Sequence, residues 1–529
     1  MLHKYVNLQY LNNLFLFFYM INKYKGKNMK KIACATYEGL DAKVVYVEST
    51  LTKGLPSFSI VGMASSSINE SKERVKSALL SNDFKFPPKR ITLSLVPSDV
   101  RKDGSHFDLS ISLMIALNSQ EEDYSKWFAF GELGLDGSIR ENSYLYPLLL
   151  SLANQGKIEK ALVPYEALTK LQKIPNVEFY GVKTFKEAMS VLESDTQVQP
   201  SVSQQDFDYP SYMLDQKYYV YNKYDEDFID VKGQEVAKRA ALISACGMHN
   251  ILLEGSPGSG KSMIAQRLRY ILAPLNQSEI LDIAKLESLE DKEPSFKPLR
   301  NFSSPHHTST SASIFGGGSH KARIGEVGLA HNGILFFDEL PHFSKNILEA
   351  LREPMQDGKI KISRVNSKVV YPADFLFVGA MNPCPCGNLL DQNKECRCNE
   401  LEIQRYKNKL SDPFLDRIDL CVVMSSVNVD DKASIDSRKM HQCVIDVHHI
   451  IKNRGQDTFN AKLSDADIEK YCILDPQAKS TLDLAVNRFA LSFRSIKKVQ
   501  KVARTIADIA SSEVIEKEHI LEALSYRRR

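Results

Sequence analysis

Eight consecutive residues, Gly255-Ser256-Pro257-Gly258-Ser259-Gly260-Lys261-Ser262, satisfy the pattern G-x-x-x-x-G-K-[ST] at every position. Glycines at this spacing let backbone N–H groups converge on a phosphate, and the start of the following helix adds its partial positive charge. Lys261 is expected to reach the β and γ phosphates of ATP, and the Ser262 hydroxyl to ligate Mg2+. A glycine-rich turn without a ligand is the alternative. The apolar strand before the motif and the helical run 263–272 after it favour phosphate binding. Further on, Ile334-Leu-Phe-Phe-Asp338-Glu339 places two acids at the end of an apolar run. Asp338 suits the magnesium shell, and Glu339 suits a general base that activates water. A third apolar run, 375–378, leads into Gly379-Ala-Met-Asn382. Asn382 there can position the attacking water, although Asn also ends strands for turn reasons.

Two more clusters carry chemistry. Cys384-Pro-Cys386 and Cys396-Arg-Cys398 form C-x-C, nine residues, C-x-C. Four thiolates suit a closed tetrahedral structural Zn2+ site, and the polar loop between them lacks apolar residues to order it. The spacing is tighter than the usual C-x2-C, and four reduced thiols on a loop is the rival reading. In Lys359-Ile-Lys361-Ile-Ser363-Arg364 the two lysines alternate with isoleucines, so a strand puts Lys359 and Lys361 on one face. Asn366-Ser367 can turn and 369–371 can return as its partner. Basic side chains on such a hairpin can track a phosphate backbone, though any exposed hairpin carries lysines.

These residues need a scaffold. The 529 residues allow roughly three domains. Apolar content of 43% and charged content of 25% are those of an ordinary folded chain, and a net charge of +3 leaves any nucleic-acid surface to local patches. The alternation of 91–95 predicts a strand, 44–47 another, and 71–80 and 107–117 helices, giving an α/β domain over 29–195. Residues 196–226 are rich in Gln, Ser, Tyr and Asp and read as a linker. From 227 to 426, three apolar runs ending in the chemical residues predict a parallel sheet that binds ligand at its carboxyl edge. Residues 427–529 read as a helical domain. Residues 1–28 contain no acid and read as an extension that is non-native or disordered, with Met29 as the initiator. The run 14–21 is too short to span a bilayer, and no other segment resembles a membrane span. The nine cysteines do not form a secreted disulfide pattern and suit the reducing cytoplasm.

The order of phosphate loop, Asp338-Glu339, Asn382, Leu415-Asp-Arg417-Ile-Asp419 and Ser492-Phe-Arg494 resembles the AAA+ superfamily. More narrowly it resembles the magnesium-chelatase-related branch and its ComM/YifB family. Ser304-Pro-His-His307, Gly316-Gly-Gly-Ser319, Ala330-His-Asn-Gly333, Met381-Asn-Pro-Cys-Pro-Cys-Gly387 and Glu522-Ala-Leu-Ser-Tyr-Arg-Arg528 carry that likeness. The resemblance implies an AAA+ core with a C-terminal helical lid. It implies that Arg417 is an arginine finger reaching a neighbouring subunit's γ phosphate, and that Arg494 is a lid arginine sensing nucleotide. A homo-oligomeric ring, a hexamer, follows from a site completed in trans. Ser411-Asp412-Pro413 stands where the family usually reads Ser-Gly-Pro, which brings an extra acid near the finger. Asp230-Val-Lys-Gly-Gln234 resembles the adenine-side segment of AAA+ proteins, and equally reads as a turn capping the next helix.

Arg101-Lys-Asp-Gly104-Ser105-His106-Phe107-Asp108 and Gly131-Glu-Leu-Gly-Leu-Asp-Gly137 resemble the Lon-protease-like fold. Where active members carry the catalytic Ser and Lys, this chain carries His106 and Tyr146, so the Ser–Lys chemistry is expected to be missing. The 359–371 hairpin resembles the one that AAA+ helicases of this branch insert into the ring channel. The segment 313–323, with Lys321 and Arg323, resembles a second channel loop. Two functions stay open: a ring-shaped DNA helicase or branch-migration factor in recombination or natural transformation, and a chelatase-type or protein-remodelling ATPase acting on a protein partner. The magnesium-chelatase subunit proper is expected to lack both the N-terminal domain and the cysteine cluster, which favours the DNA motor.

Overall fold

The computed structural model describes residues 30–39, 41–119, 122–194, 199–201, 205–317, 323–363, 368–391, 394–426 and 431–528. Residues 1–28 and Met29, for which the sequence predicts an extension and an initiator, lie outside them. The chain divides into two compact units, Met1–Asp206 and Phe207–Arg529.

The first unit is built on a mixed seven-stranded sheet. Its spatial order is Ser57–Val61, Arg90–Val96, Asp41–Thr52, Lys31–Glu38, Trp127–Ala129, Lys160–Pro164 and Glu178–Val182. Ile91, Leu93 and Leu95 are fully buried while their neighbours are not, as the alternation predicts for a strand with one face on the core. The helix Asp108–Ala116 is buried along its whole length, its Ser110 and Ser112 hydroxyls satisfied by the carbonyls of Phe107 and Leu109. Its one carboxylate, Asp108, has no exposed surface and is held by the Arg74 guanidinium at 2.7 Å, since a buried charge without a partner would be costly.

The second unit holds a five-stranded parallel sheet in the order Phe302–Ser303, Gly333–Phe337, Phe375–Met381, Ile251–Gly255, Leu420–Met424. Every residue of Gly333–Phe337 and of Phe375–Met381 is buried, which is why these strands read as unbroken apolar runs rather than as alternation. The five helices Ser437–Asn453, Asp465–Tyr471, Pro476–Phe489, Phe493–Ile509 and Lys517–Ser525 follow. Val444, Val502, Ile506 and Ile520 join one apolar cluster with Leu253, Val378 and Leu420 of the sheet. Part of the stretch expected to be a linker is ordered: Ser211–Met213 and Lys217–Tyr219 pair antiparallel, and the latter also pairs with Leu275–Asn276. The polar composition hid this, because its tyrosines do the packing. Tyr219 is buried and the Tyr212 hydroxyl meets His448 Nδ1 at 2.9 Å. Among the described residues, no helix is long and apolar enough to cross a membrane.

Candidate nucleotide site

Three adjacent parallel strands deliver the predicted residues to one edge. Gly333–Phe337 ends at Asp338, Phe375–Met381 at Asn382, and Ile251–Gly255 opens the phosphate loop. Parallel pairing in register, Phe337 beside Gly379 and Leu253 beside Ala380, places these ends together. The loop turns through Gly258 at φ 79° and Gly260 at φ 92°, left-handed conformations that a side chain resists. The helix Lys261–Leu268 then starts with no side-chain cap on its first amides, which leaves them for a ligand.

Lys261 Nζ donates to Gly255 O at 2.7 Å, to Ser256 O at 3.0 Å and to Asn382 Oδ1 at 3.2 Å. Burial lowers its pKa, against the opposing pull of Asp338. Ser262 Oγ donates to Asp338 Oδ2 at 2.9 Å, and Asp338 Oδ1 accepts the Glu339 N–H at 2.9 Å. Glu339 sits at φ 51°, a left-handed position that costs roughly 1–2 kcal/mol for a residue with a Cβ.

The residues present fit Mg-ATP. Ser256 Oγ and Ser259 Oγ are buried with no hydrogen-bond partner, and such orphaned hydroxyls cost about 1–3 kcal/mol each until an acceptor arrives. Phosphate oxygens are acceptors, and they also offer an anion to the buried Lys261. A Cβ on Gly258 would meet nothing within 4 Å, so the loop faces open space there. Ser262 and Asp338 offer the hard oxygen ligands that Mg2+ takes.

The motif Ser304-Pro-His-His307 by itself gives His307 no role. Its Nδ1 lies 3.5 Å from Glu339 Oε2, and only the fold, which brings the turn after Phe302–Ser303 beside the Glu339 strand, makes that contact visible. Tyr406 was missed as well: its phenol sits at the Asn382 backbone, and burial pushes its pKa up to about 12.

Arg417 is held by residues outside the phosphate loop, with Arg494 near it. Arg417 donates from Nε to Arg352 O at 3.0 Å, from Nη2 to Gln356 at 2.8 Å and from Nη1 to Pro413 O at 2.5 Å. Burial, then the neighbouring cations Arg494 and Arg352, lower its pKa. The extra acid Asp412 turns to Arg528, 3.1 Å away, rather than to Arg417. At the adenine-side candidate, Asp230 pairs with Arg267 at 3.0 Å, and Gln234 precedes the helix Glu235–Gly247 without capping it through its side chain.

The four cysteines converge. Cys384 Sγ is 3.4 Å from Cys386 Sγ and 3.6 Å from Cys396 Sγ, and Cys386 to Cys396 is 3.6 Å. All four sulfurs, Cys398 included, lie within 4.8 Å of one another. Backbone N–H groups of Asn388 and Arg397 hold the Cys386 thiol down to about 6.

The strands Lys359–Ser363 and Lys368–Pro372 pair antiparallel. Lys359 and Lys361 are exposed and Ile360 is buried, the alternation expected, and Lys361 meets Glu353 at 2.9 Å. Arg364 and Lys321 lie outside the described residues, and Arg323 is placed only by its backbone pairing with Gly317. In the first unit, Ser105 Oγ donates to the Glu132 carboxylate. His106 is buried with Nε2 2.9 Å from Ala35 O, and Tyr146 is buried.

Family models match most of the chain. One described as magnesium chelatase, subunit ChlI, matches residues 227–432, and one described as the C-terminal part of that subunit matches 434–527. A third, described as subunit ChlI of Mg-chelatase, matches 47–167. The N-terminal unit, expected to set this chain apart from the chelatase subunit, therefore does not do so by itself. The magnesium-chelatase 67 kDa subunit of Heliobacterium mobile is 25% identical over 183 residues, 29% of this chain and 27% of that protein. The competence protein ComM of Haemophilus influenzae is 35% identical over 500 residues, covering 92% of this chain and 95% of its own. The YifB protein of Salmonella typhimurium is 35% identical over 502 residues, with the same coverage of 92% and 95%. Identity sustained through both units, around a nucleotide edge of this geometry, decides the assignment: the chain belongs to the ComM/YifB family of magnesium-chelatase-related AAA+ ATPases.

Proposed function

We propose that this chain is an ATP-driven DNA motor, a helicase or branch-migration factor that works in the cytoplasm as a homo-oligomeric ring, a hexamer, in recombination or natural transformation. Lys261 and the loop 255–260 bind the phosphates. Ser262 and Asp338 hold Mg2+, which neutralises charge on the β and γ phosphates. Glu339 takes the proton of the attacking water at its carboxylate, and Asn382 orients that water. Arg417 acts from a neighbouring subunit on the γ phosphate, and Arg494, on the helical lid, senses the nucleotide. The first unit, Lon-protease-like without a Ser–Lys pair, organises the ring or binds a partner.

The observation that carries the DNA reading is the exposed pair Lys359 and Lys361 on one face of a hairpin borne by the ATPase core. Lys321, Arg323 and Arg364 belong to the same proposed contact. Two cations on a strand face can follow a phosphate backbone without reading sequence. The test is ATP turnover by the chain from Met29, with and without single-stranded and forked DNA. Stimulation that weakens with salt, and is lost in Lys359→Ala/Lys361→Ala, is expected. Turnover indifferent to every DNA overturns the DNA motor. It would move the assignment to a protein partner, the second reading, which the shorter likeness to a magnesium-chelatase subunit favours.

A further inference from the structure

The four-cysteine loop leaves the strand Phe375–Met381 immediately beyond Asn382 and touches the nucleotide site twice. The first contact runs through the backbone. Cys384 is two residues from Asn382, whose Oδ1 accepts from Lys261 Nζ at 3.2 Å. The second is direct packing. Gly387 closes a turn on Cys384, donating its N–H to Cys384 O at 3.0 Å. It takes φ 82°, and a Cβ built there would stand 2.7 Å from Cδ of Pro257 in the phosphate loop. The loop therefore lies against the phosphate loop at a distance only glycine permits.

The geometry at the sulfurs is that of an ion site. Zn–S bonds of about 2.3 Å in a tetrahedron put sulfurs about 3.8 Å apart. The separations of 3.4, 3.6 and 3.6 Å fall just inside that, and far from the bonded distance of about 2.05 Å in a disulfide. Cys384 is fully buried, while the other three are half-buried. Among the described residues of the loop, Leu389 is 40% exposed. A metal clip would add to the order that its backbone hydrogen bonds supply.

We propose that Cys384, Cys386, Cys396 and Cys398 bind one Zn2+ ion and that this ion braces the phosphate loop, through Gly387 on Pro257 and through Asn382 on Lys261, so that zinc and nucleotide bind with positive coupling. The inference rests on the assignment of 255–262 as the nucleotide site. It does not depend on what the motor acts on. Coupling free energies are reciprocal, so each ligand tightens the other by the same factor, typically about 5- to 150-fold.

The experiment uses the full chain. Metal content is measured by mass spectrometry, and the Kd of a fluorescent ATP analogue by titration. One zinc per chain is expected. Stripping it with a chelator should weaken nucleotide binding about tenfold, reversed by added Zn2+, and a non-hydrolysable ATP analogue should raise zinc affinity by the same factor. Gly387→Ala keeps all four thiols, so it should retain zinc yet bind nucleotide more weakly. Cys396→Ser/Cys398→Ser should lose zinc and bind nucleotide about tenfold more weakly. Lys261→Ala is the control for the site itself and should hold zinc without nucleotide. If Lys261→Ala still bound nucleotide tightly, the site assignment would fail rather than the coupling. Chain that neither carries nor takes up zinc, or that carries iron instead, overturns the ion. Zinc loss and Gly387→Ala that both leave nucleotide affinity unchanged overturn the brace.

Discussion

At the strand ends Lys261, Ser262, Asp338 and Asn382 satisfy one another through hydrogen bonds of 2.7–3.2 Å, with the loop's own carbonyls completing the set. Around Arg417 the chain does the reverse. Arg352, Arg417 and Arg494 lie close enough for each neighbour to lower the Arg417 pKa, and Arg417 spends its donors on two carbonyls and an amide oxygen rather than on a carboxylate. Arg352 Nε is buried with no partner. One region is already organised for a nucleotide. The other keeps cations together at a cost that Glu349, paired with Arg352, offsets only in part. The proposed site split between subunits, with one half that binds and one that meets a neighbour's phosphate, stands or falls on this contrast.

The largest expected effect tests the binding half. Lys261→Ala should abolish measurable nucleotide binding, read by titration, because the only buried cation of the loop is gone. Next comes the waiting half. Arg417→Ala should bind ATP normally and lose about 10³-fold or more in turnover, the usual worth of an arginine finger. Mixing it with Glu339→Gln should recover part of the activity, since each supplies the half the other lacks. A mixture as dead as its components would remove the split-site interpretation. Glu339→Gln alone should bind ATP and hydrolyse it about 10²- to 10⁴-fold more slowly, as expected when a general base is lost. Near wild-type turnover would withdraw that role. The smallest effect is Asp412→Ala. Its carboxylate is exposed and pairs with Arg528 rather than Arg417, so stability and turnover should hold, a surface pair being worth about 0–1 kcal/mol. A marked rate change would mean that the acid acts on Arg417 after all.

The gathering of the predicted residues at one sheet edge was readable in advance because their pattern is local. Residues 255–262 follow one another in the chain, and the acids at 338 and 339 and the amide at 382 sit directly after runs such as Gly333–Phe337 that only a buried strand explains. The lysine face of Lys359–Ser363 was readable for the same reason, since side chains alternate along a strand. The strands at 211–219 were not, because their stabilisation is Tyr212 on His448 and pairing to Leu275–Asn276, partners distant in sequence. His307 beside Glu339 was hidden likewise.

Residue type and order along the chain were enough to specify the phosphate loop, its acids, the parallel sheet and the four-thiol spacing, because each depends on backbone periodicity or on neighbours a few residues apart. Tertiary structure alone decided that Asp412 faces Arg528, that Arg417 and Arg494 share a neighbourhood, and that Gly387 lies on Pro257. Those relations join segments that are remote in sequence. They exist only once strand order and packing bring the segments within a few ångströms.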